Sequence, residues 1–150
     1  MIFKNKKHAE RFFDASSDSK IKTSDRELLA SIYLLTSYKK IWKRFENALD
    51  EKNGIDPEAF DKFEPKDATE YALVTAACDI LFCSEFLNLS DFADSDTIPD
   101  KAFLAICYAI GYARYGFDEC QEQVYPVLKQ RSLGSMMIRP RARKQQLQLR

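Results

Sequence analysis

Apolar and polar positions in this chain recur every three to four residues over most of its length, a period that predicts helices rather than strands. The clearest case is Tyr38, Ile41, Trp42, Phe45 and Leu49, which share one helical face, while Lys39, Lys40, Lys43 and Arg44 fall on the other. A short helix is expected over residues 6–15. Phe3, Phe12 and Phe13 would supply its core contacts, and Lys4, Lys7, His8 and Arg11 would lie on its polar side. Between these, Ser24-Asp25-Arg26-Glu27 has the form of a capping box. The Ser24 hydroxyl would accept from the Glu27 backbone and the Glu27 side chain would reach back. Leu28, Leu29, Ile32, Tyr33 and Leu35 follow as a buried side, and the pattern bends near Ser37.

Asn53-Gly54 signals a turn, and Asp56-Pro57-Glu58 reads as an N-cap with proline at the first helical position. Pro65 keeps that helix short. Asp67-Ala68-Thr69-Glu70 then opens the longest apolar segment, in which residues 71–89 are apolar on nearly every side. A helix of that kind is expected at the centre of a domain, so residues 71–87 are predicted to be the most buried helix, with Leu81 inside it. The loop SDFADSDTIPD precedes a strong helix over Asp100–Tyr115, with Phe103, Leu104, Ile106, Cys107 and Ile110 facing inward. Arg114 and Gly116 suit its C-terminal end. A weaker helix near residues 118–129 is interrupted by Pro126. The expected architecture is all-α: a single compact domain of about five to seven helices around a central apolar helix. Residues 1–130 form the helical domain and 131–150 a basic C-terminal tail.

Composition supports a folded domain. Of 150 residues, 45% are hydrophobic, with four Gly and five Pro; a disordered chain has the opposite profile, and this length buries a core without staples. The opening residues lack the apolar core of a signal peptide. No uncharged apolar run reaches membrane-spanning length, since Glu70, Asp79 and Glu85 interrupt the nearest candidate. The reading is a cytoplasmic protein without a membrane partner. Cys78, Cys83, Cys107 and Cys120 lie in apolar helical context without CxxC spacing, so reduced thiols are expected, with no disulfide.

Net charge is zero, but its distribution is uneven: +4 over residues 1–50, −10 over 51–130 and +6 over 131–150. The tail carries Arg139, Arg141, Arg143, Lys144 and Arg150 between Ser135 and the end, without an acid. Phosphate neutralisation is one reading of these side chains. The tail lacks aromatic residues for stacking on bases, no reader motif accompanies it, and a neutral chain lacks long-range attraction to phosphate. Contact with a protein, its own acidic middle included, is the preferred reading.

Sequence signals for catalysis are weak. With one histidine, His8, read as a surface residue, a Ser–His or Cys–His pair has little footing, and no GxSxG, P-loop or HExxH motif is present. The cysteine spacing is poor for zinc. Asp91, Asp94 and Asp96 offer oxygen ligands but lack the EF-hand spacing and its glycine. No catalytic residue, metal site or cofactor is expected.

The segments MIFKNKKHAERF and ASIYLLTSYKKIW, and the apolar helix followed by KAFLAICYAIGYAR, resemble an uncharacterised family of small helical proteins. That family is encoded in prophages and conjugative elements of low-GC Gram-positive bacteria. The resemblance spans residues 1–117. It implies a helical fold and a mobile-element context, and it implies no activity. The functional expectation is a non-enzymatic protein-binding module, an inhibitor or modulator of a host defence or regulatory protein. The alternative is a nucleic-acid-binding accessory protein. The residues expected to bind a partner or nucleic acid are Lys39, Lys40, Lys43 and Arg44, with Arg139, Arg141, Arg143 and Lys144 of the tail.

Overall fold

The computed structural model describes residues 2–17, 25–50 and 54–117. Among them are seven helices and one two-stranded hairpin, and the fold is an all-α compact domain. Its centre is α2 (Arg26–Thr36), where every residue from Leu28 to Thr36 is buried. Around it pack α1 (Lys6–Ser16), α3 (Lys39–Phe45), α5 (Ala68–Phe82) and α7 (Asp100–Tyr115), with α5 and α7 also touching each other. Ala30, Ala72, Ala76, Ala77, Ala102 and Ala109 are all buried. Small side chains at these contacts let the helix axes approach closely.

The central helix is therefore α2, not the apolar segment 71–87. α5 stops at Phe82, where Cys83 turns left-handed, and its buried residues lie between Glu70 and Ala77. Leu81 is only half-buried. The buried hydroxyls of α2 and of its C-cap Ser37 do not prevent its burial, because each returns a hydrogen bond to a carbonyl. Thr36 donates to Ile32 at 2.7 Å, Ser37 to Leu34 at 2.6 Å, and Ser31 reaches across to Ala77 of α5 at 2.9 Å. The N-cap of α2 is Asp25, whose carboxylate accepts from Leu28 at 3.0 Å; Ser24 lies outside the described residues.

α1 closes the other end of α2. The last carbonyls of a helix lack intrahelical donors. Here the Arg11 guanidinium donates to Thr36 O at 2.7 Å and to Ser37 O at 3.2 Å. A cation in that position also complements the helix dipole. His8 Nε2 lies 2.8 Å from the Tyr33 carbonyl. His8 is thus buried, at 1% exposure, and not a surface residue. Phe12 is buried as expected, while Phe13 is 53% exposed.

After α3 the chain forms β1 (Leu49–Asp50) and β2 (Gly54–Ile55), paired antiparallel with Leu49 opposite Ile55. Leu49 belongs to this hairpin rather than to the helical face of Tyr38, Ile41, Trp42 and Phe45. Gly54 has φ +80, and a Cβ there would sit 3.2 Å from Leu28 Cδ1, so glycine serves both the turn and the close approach. α4 (Pro57–Asp61) starts as expected, with Asp56 accepting from Glu58 at 3.0 Å. The segment before α7 is not all loop: α6 (Leu89–Ala93) occupies its start. α7 has the expected bounds but a different buried face. Ala102, Ile106, Ala109, Gly111 and Tyr112 are buried, whereas Phe103, Leu104 and Ile110 are exposed.

Candidate functional site

The surface that departs most from a stability-driven arrangement lies between the end of α5 and the start of α7. Residues 82–100 hold Glu85, Asp91, Asp94, Asp96 and Asp100 and no basic residue. They also hold Phe86 at 64% and Leu89 at 88% exposure. Phe82 and, just beyond, Phe103 are exposed as well. Exposed apolar residues gathered in one segment mark interaction surfaces more often than scattered ones do.

This segment is held in place. Asp79, in the last turn of α5, accepts from the Ser84 hydroxyl at 2.6 Å, from Phe86 N at 2.9 Å and from Leu87 N at 2.8 Å. Cys83 (φ 54) and Glu85 (φ 58) are both left-handed without being glycine. Such residues cost about 1–2 kcal/mol each and persist only where surrounding contacts determine them. The Asp79 carboxylate supplies those contacts and fixes the loop that displays Phe86. Asn88 and Asp91 then form a capping box on α6, with Asn88 Oδ1 also accepting from the Ser90 hydroxyl. Asp94 accepts from the Thr97 hydroxyl at 2.7 Å and from Asp96 N at 3.0 Å, and these bonds, the first above all, hold its carboxyl below the usual range. Sequence alone does not single out Asp79 as a functional residue. Inside an apolar run it reads only as an interruption, because its partners Ser84, Phe86 and Leu87 lie 5, 7 and 8 residues further on, beyond any local turn motif.

The acidic loop considered for calcium is thus organised by its own backbone and side chains. Among the described residues no three His, Cys, Asp or Glu side chains are grouped to hold a metal ion. Cys78, Cys83 and Cys107 are free thiols, and burial raises the pKa of Cys78 and Cys107; Cys120 lies outside the described residues. His8 is the Nε2–H tautomer, since Nε2 faces a carbonyl and Nδ1 accepts from Lys4 N at 3.1 Å. Desolvation lowers its pKa to about 4, against a smaller opposing contribution from the Tyr33 hydrogen bond. Both ring nitrogens are engaged by backbone, which leaves neither for proton transfer to a substrate.

Lys39, Lys40, Lys43 and Arg44 are all exposed on α3. Arg44 is tied down: its guanidinium stacks on Phe63 at 4.6 Å and donates to Glu64 O at 2.9 Å. Arg139, Arg141, Arg143 and Lys144, together with the weak helix expected near residues 118–129, lie outside the described residues. No helix among the described residues is long and apolar enough to cross a membrane. Comparison with known proteins finds no matching family model, no matching curated protein and no matching solved structure.

Proposed function

We propose that this chain is a non-enzymatic binding module that docks on another protein through the acidic–apolar surface of residues 82–103. The observation that carries this reading is the loop after α5, where Asp79 holds two left-handed non-glycine residues and thereby presents Phe86 to solvent. A loop fixed before binding loses little entropy on docking. Its apolar side chains would fill a recess, and the five surrounding carboxylates would steer it toward a basic partner. The mobile-element context implied by the sequence resemblance directs the reading to a host defence or regulatory protein. Within that class the charge pattern fits one with a basic, nucleic-acid-binding surface.

The test is capture from a nuclease-treated lysate of a low-GC Gram-positive bacterium, using the full chain and a Phe86→Ser/Leu89→Ser variant. The two side chains are exposed, so the variant should keep the melting temperature of the parent. A basic protein recovered by the parent and lost from the variant is the expected result. Equal recovery by both would overturn the assignment of this surface.

The second reading, a nucleic-acid accessory protein, is favoured by Lys39, Lys40 and Lys43, which share an exposed face with no carboxylate within ion-pair distance among the described residues. It expects binding to DNA that weakens steeply with salt, with a shallower slope once these lysines and Arg139, Arg141 and Arg143 become alanine.

A further inference from the structure

A second feature stands apart from the acidic surface. The N-terminal segment before α1, the α2–α3 junction and one side of α7 line a half-open apolar cavity of about 300 Å³, at the small end of the range of ligand pockets. Phe3, Tyr38, Leu104 and Ala105 supply much of its wall, and Lys4 and Lys101 stand at it. Among the described residues no acidic one lines it. The corresponding hollow beside α4 and α5 is the opposite case, since among the described residues it is lined by Asp61 and by no basic one.

The cavity is built rather than incidental. Its N-terminal wall is fastened at both backbone groups of Ile2: the Tyr33 hydroxyl donates to Ile2 O at 2.6 Å, and Ile2 N donates to the Tyr112 hydroxyl at 2.8 Å. Lys4 N donates to His8 at the next step. The Lys4 ammonium sits over the Tyr38 ring, 3.1 Å from its centroid, which keeps the cation at the pocket edge. Leu104 lines this side of α7 with 40% exposure, so it offers an apolar surface that the described residues leave uncovered.

We infer that this cavity binds a small amphipathic organic anion, an aromatic or short aliphatic carboxylate. The apolar body lies on Phe3, Leu104 and Ala105, and the carboxylate lies toward Lys4 and Lys101. Shape and charge exclude other classes. The walls offer few polar partners, which disfavours sugars and nucleotides. Two cations without a carboxylate disfavour amines. The inference is independent of the protein-docking reading, because Lys101 is the one residue it uses from segment 82–103, and neither Phe86 nor Leu89 lines the cavity.

The probes are 2-naphthoate and octanoate, with 2-naphthalenemethanol as the neutral counterpart of the first. Binding to the full chain is followed by NMR through the ring signals of His8, the single histidine of the chain, and through the backbone amides of Phe3 and Ala105. Saturable shifts with both carboxylates, and weaker binding of the alcohol, are expected. Lys4→Gln and Lys101→Gln should each weaken naphthoate binding roughly five-fold, the size of one screened charge contact, and leave the alcohol unchanged. Both lysines are exposed, so these variants should fold, and an unchanged amide spectrum elsewhere verifies it. If only one of the two carboxylates binds, the class narrows to aromatic or to aliphatic bodies and the inference stands. Absence of saturable shifts, equal affinity for the alcohol, or affinity indifferent to both lysines would overturn it.

Discussion

Lowering the pH should destabilise this protein through one identifiable group. His8 is buried and neutral, with a pKa lowered to about 4 chiefly by desolvation, with further lowering from Arg11 and Lys4. In the unfolded chain its pKa returns to 6.5. Between these values the unfolded state binds a proton that the folded state refuses, so the contribution to stability is complete above about pH 6.5 and declines as the pH falls toward 4. From pH 7 to pH 5 the loss comes to about 2 kcal/mol, and the full difference is on the order of 3 kcal/mol. The structural reason is specific. Protonation places a second N–H on Nδ1, against the Lys4 N–H that it now accepts at 3.1 Å. The assay is urea denaturation across pH 7 to 4.5 for the parent and for His8→Gln. Carboxylates contribute to both curves, so the difference between them isolates the histidine. The variant loses ring contacts with Phe3 and Tyr33, at 5.1 and 4.8 Å between centroids, and starts from lower stability, but its pH dependence should be shallower. Long-range imidazole NMR of the folded parent should show the Nε2–H form down to about pH 5. Parallel stability curves, or a folded-state imidazole that titrates near 6.5, would refute the argument.

Three further outcomes follow from the packing. Leu34→Ala, in the buried centre of α2, should cost about 3 kcal/mol, and Leu81→Ala on half-exposed α5 about half that; chemical denaturation reads both, and the reverse order would restore α5 as the centre. Gly54→Ala combines φ +80 with a 3.2 Å contact to Leu28 and should lose about 1–2 kcal/mol in the same measurement, whereas a neutral substitution would mean the hairpin relaxes freely. Asp79→Ala should release the amides of Phe86 and Leu87 to rapid hydrogen exchange while α2 keeps its protection, at a stability cost of about 2 kcal/mol; retained protection at those two amides would remove Asp79 from its anchoring role.

Helix ends were legible because their chemistry is local. Asp56-Pro57 opened α4 and Asp67 opened α5, and the bounds of α7 were read as they stand. Burial was legible only in part, because it depends on partners far along the chain. The 71–89 stretch is rich in apolar residues, yet Cys83 and Glu85 reverse the backbone before it ends. α2 carries Ser31 and Thr36 and ends on Ser37 as its C-cap, a polar content that suits the centre poorly by composition, but local and cross-helix carbonyls satisfy all three. His8 sits among Lys4, Lys7 and Arg11 in sequence. Its burial depends on a carbonyl 25 residues away near the end of α2, where the Tyr33 oxygen also accepts from the Thr36 hydroxyl at 3.3 Å. Of the expected site residues, the α3 cations are exposed, but the loop around Phe86 gave no motif, since backbone geometry and one carboxylate define it.

The rotation of α7 connects these observations. Burying a large apolar side chain is worth about 2 kcal/mol, so hydrophobicity alone would turn Phe103, Leu104 and Ile110 inward. They face outward because the opposite side of the helix meets closer constraints. Ala102 and Ala109 leave no room for bulk against the neighbouring helices. Tyr112 packs edge-on against Tyr33 at 5.1 Å and accepts from Ile2 N. A polar hydroxyl with a defined partner fixes rotation more sharply than apolar contact does, since misplacing it leaves a buried donor unpaired. Once Tyr112 is placed, the helical period carries Leu104 to the cavity edge beside Lys101 and sends Phe103 toward Phe92 and the acidic segment, 6.4 Å between rings. The two surfaces proposed to bind are in this sense two outlets of one packing decision, made where α7 meets α2.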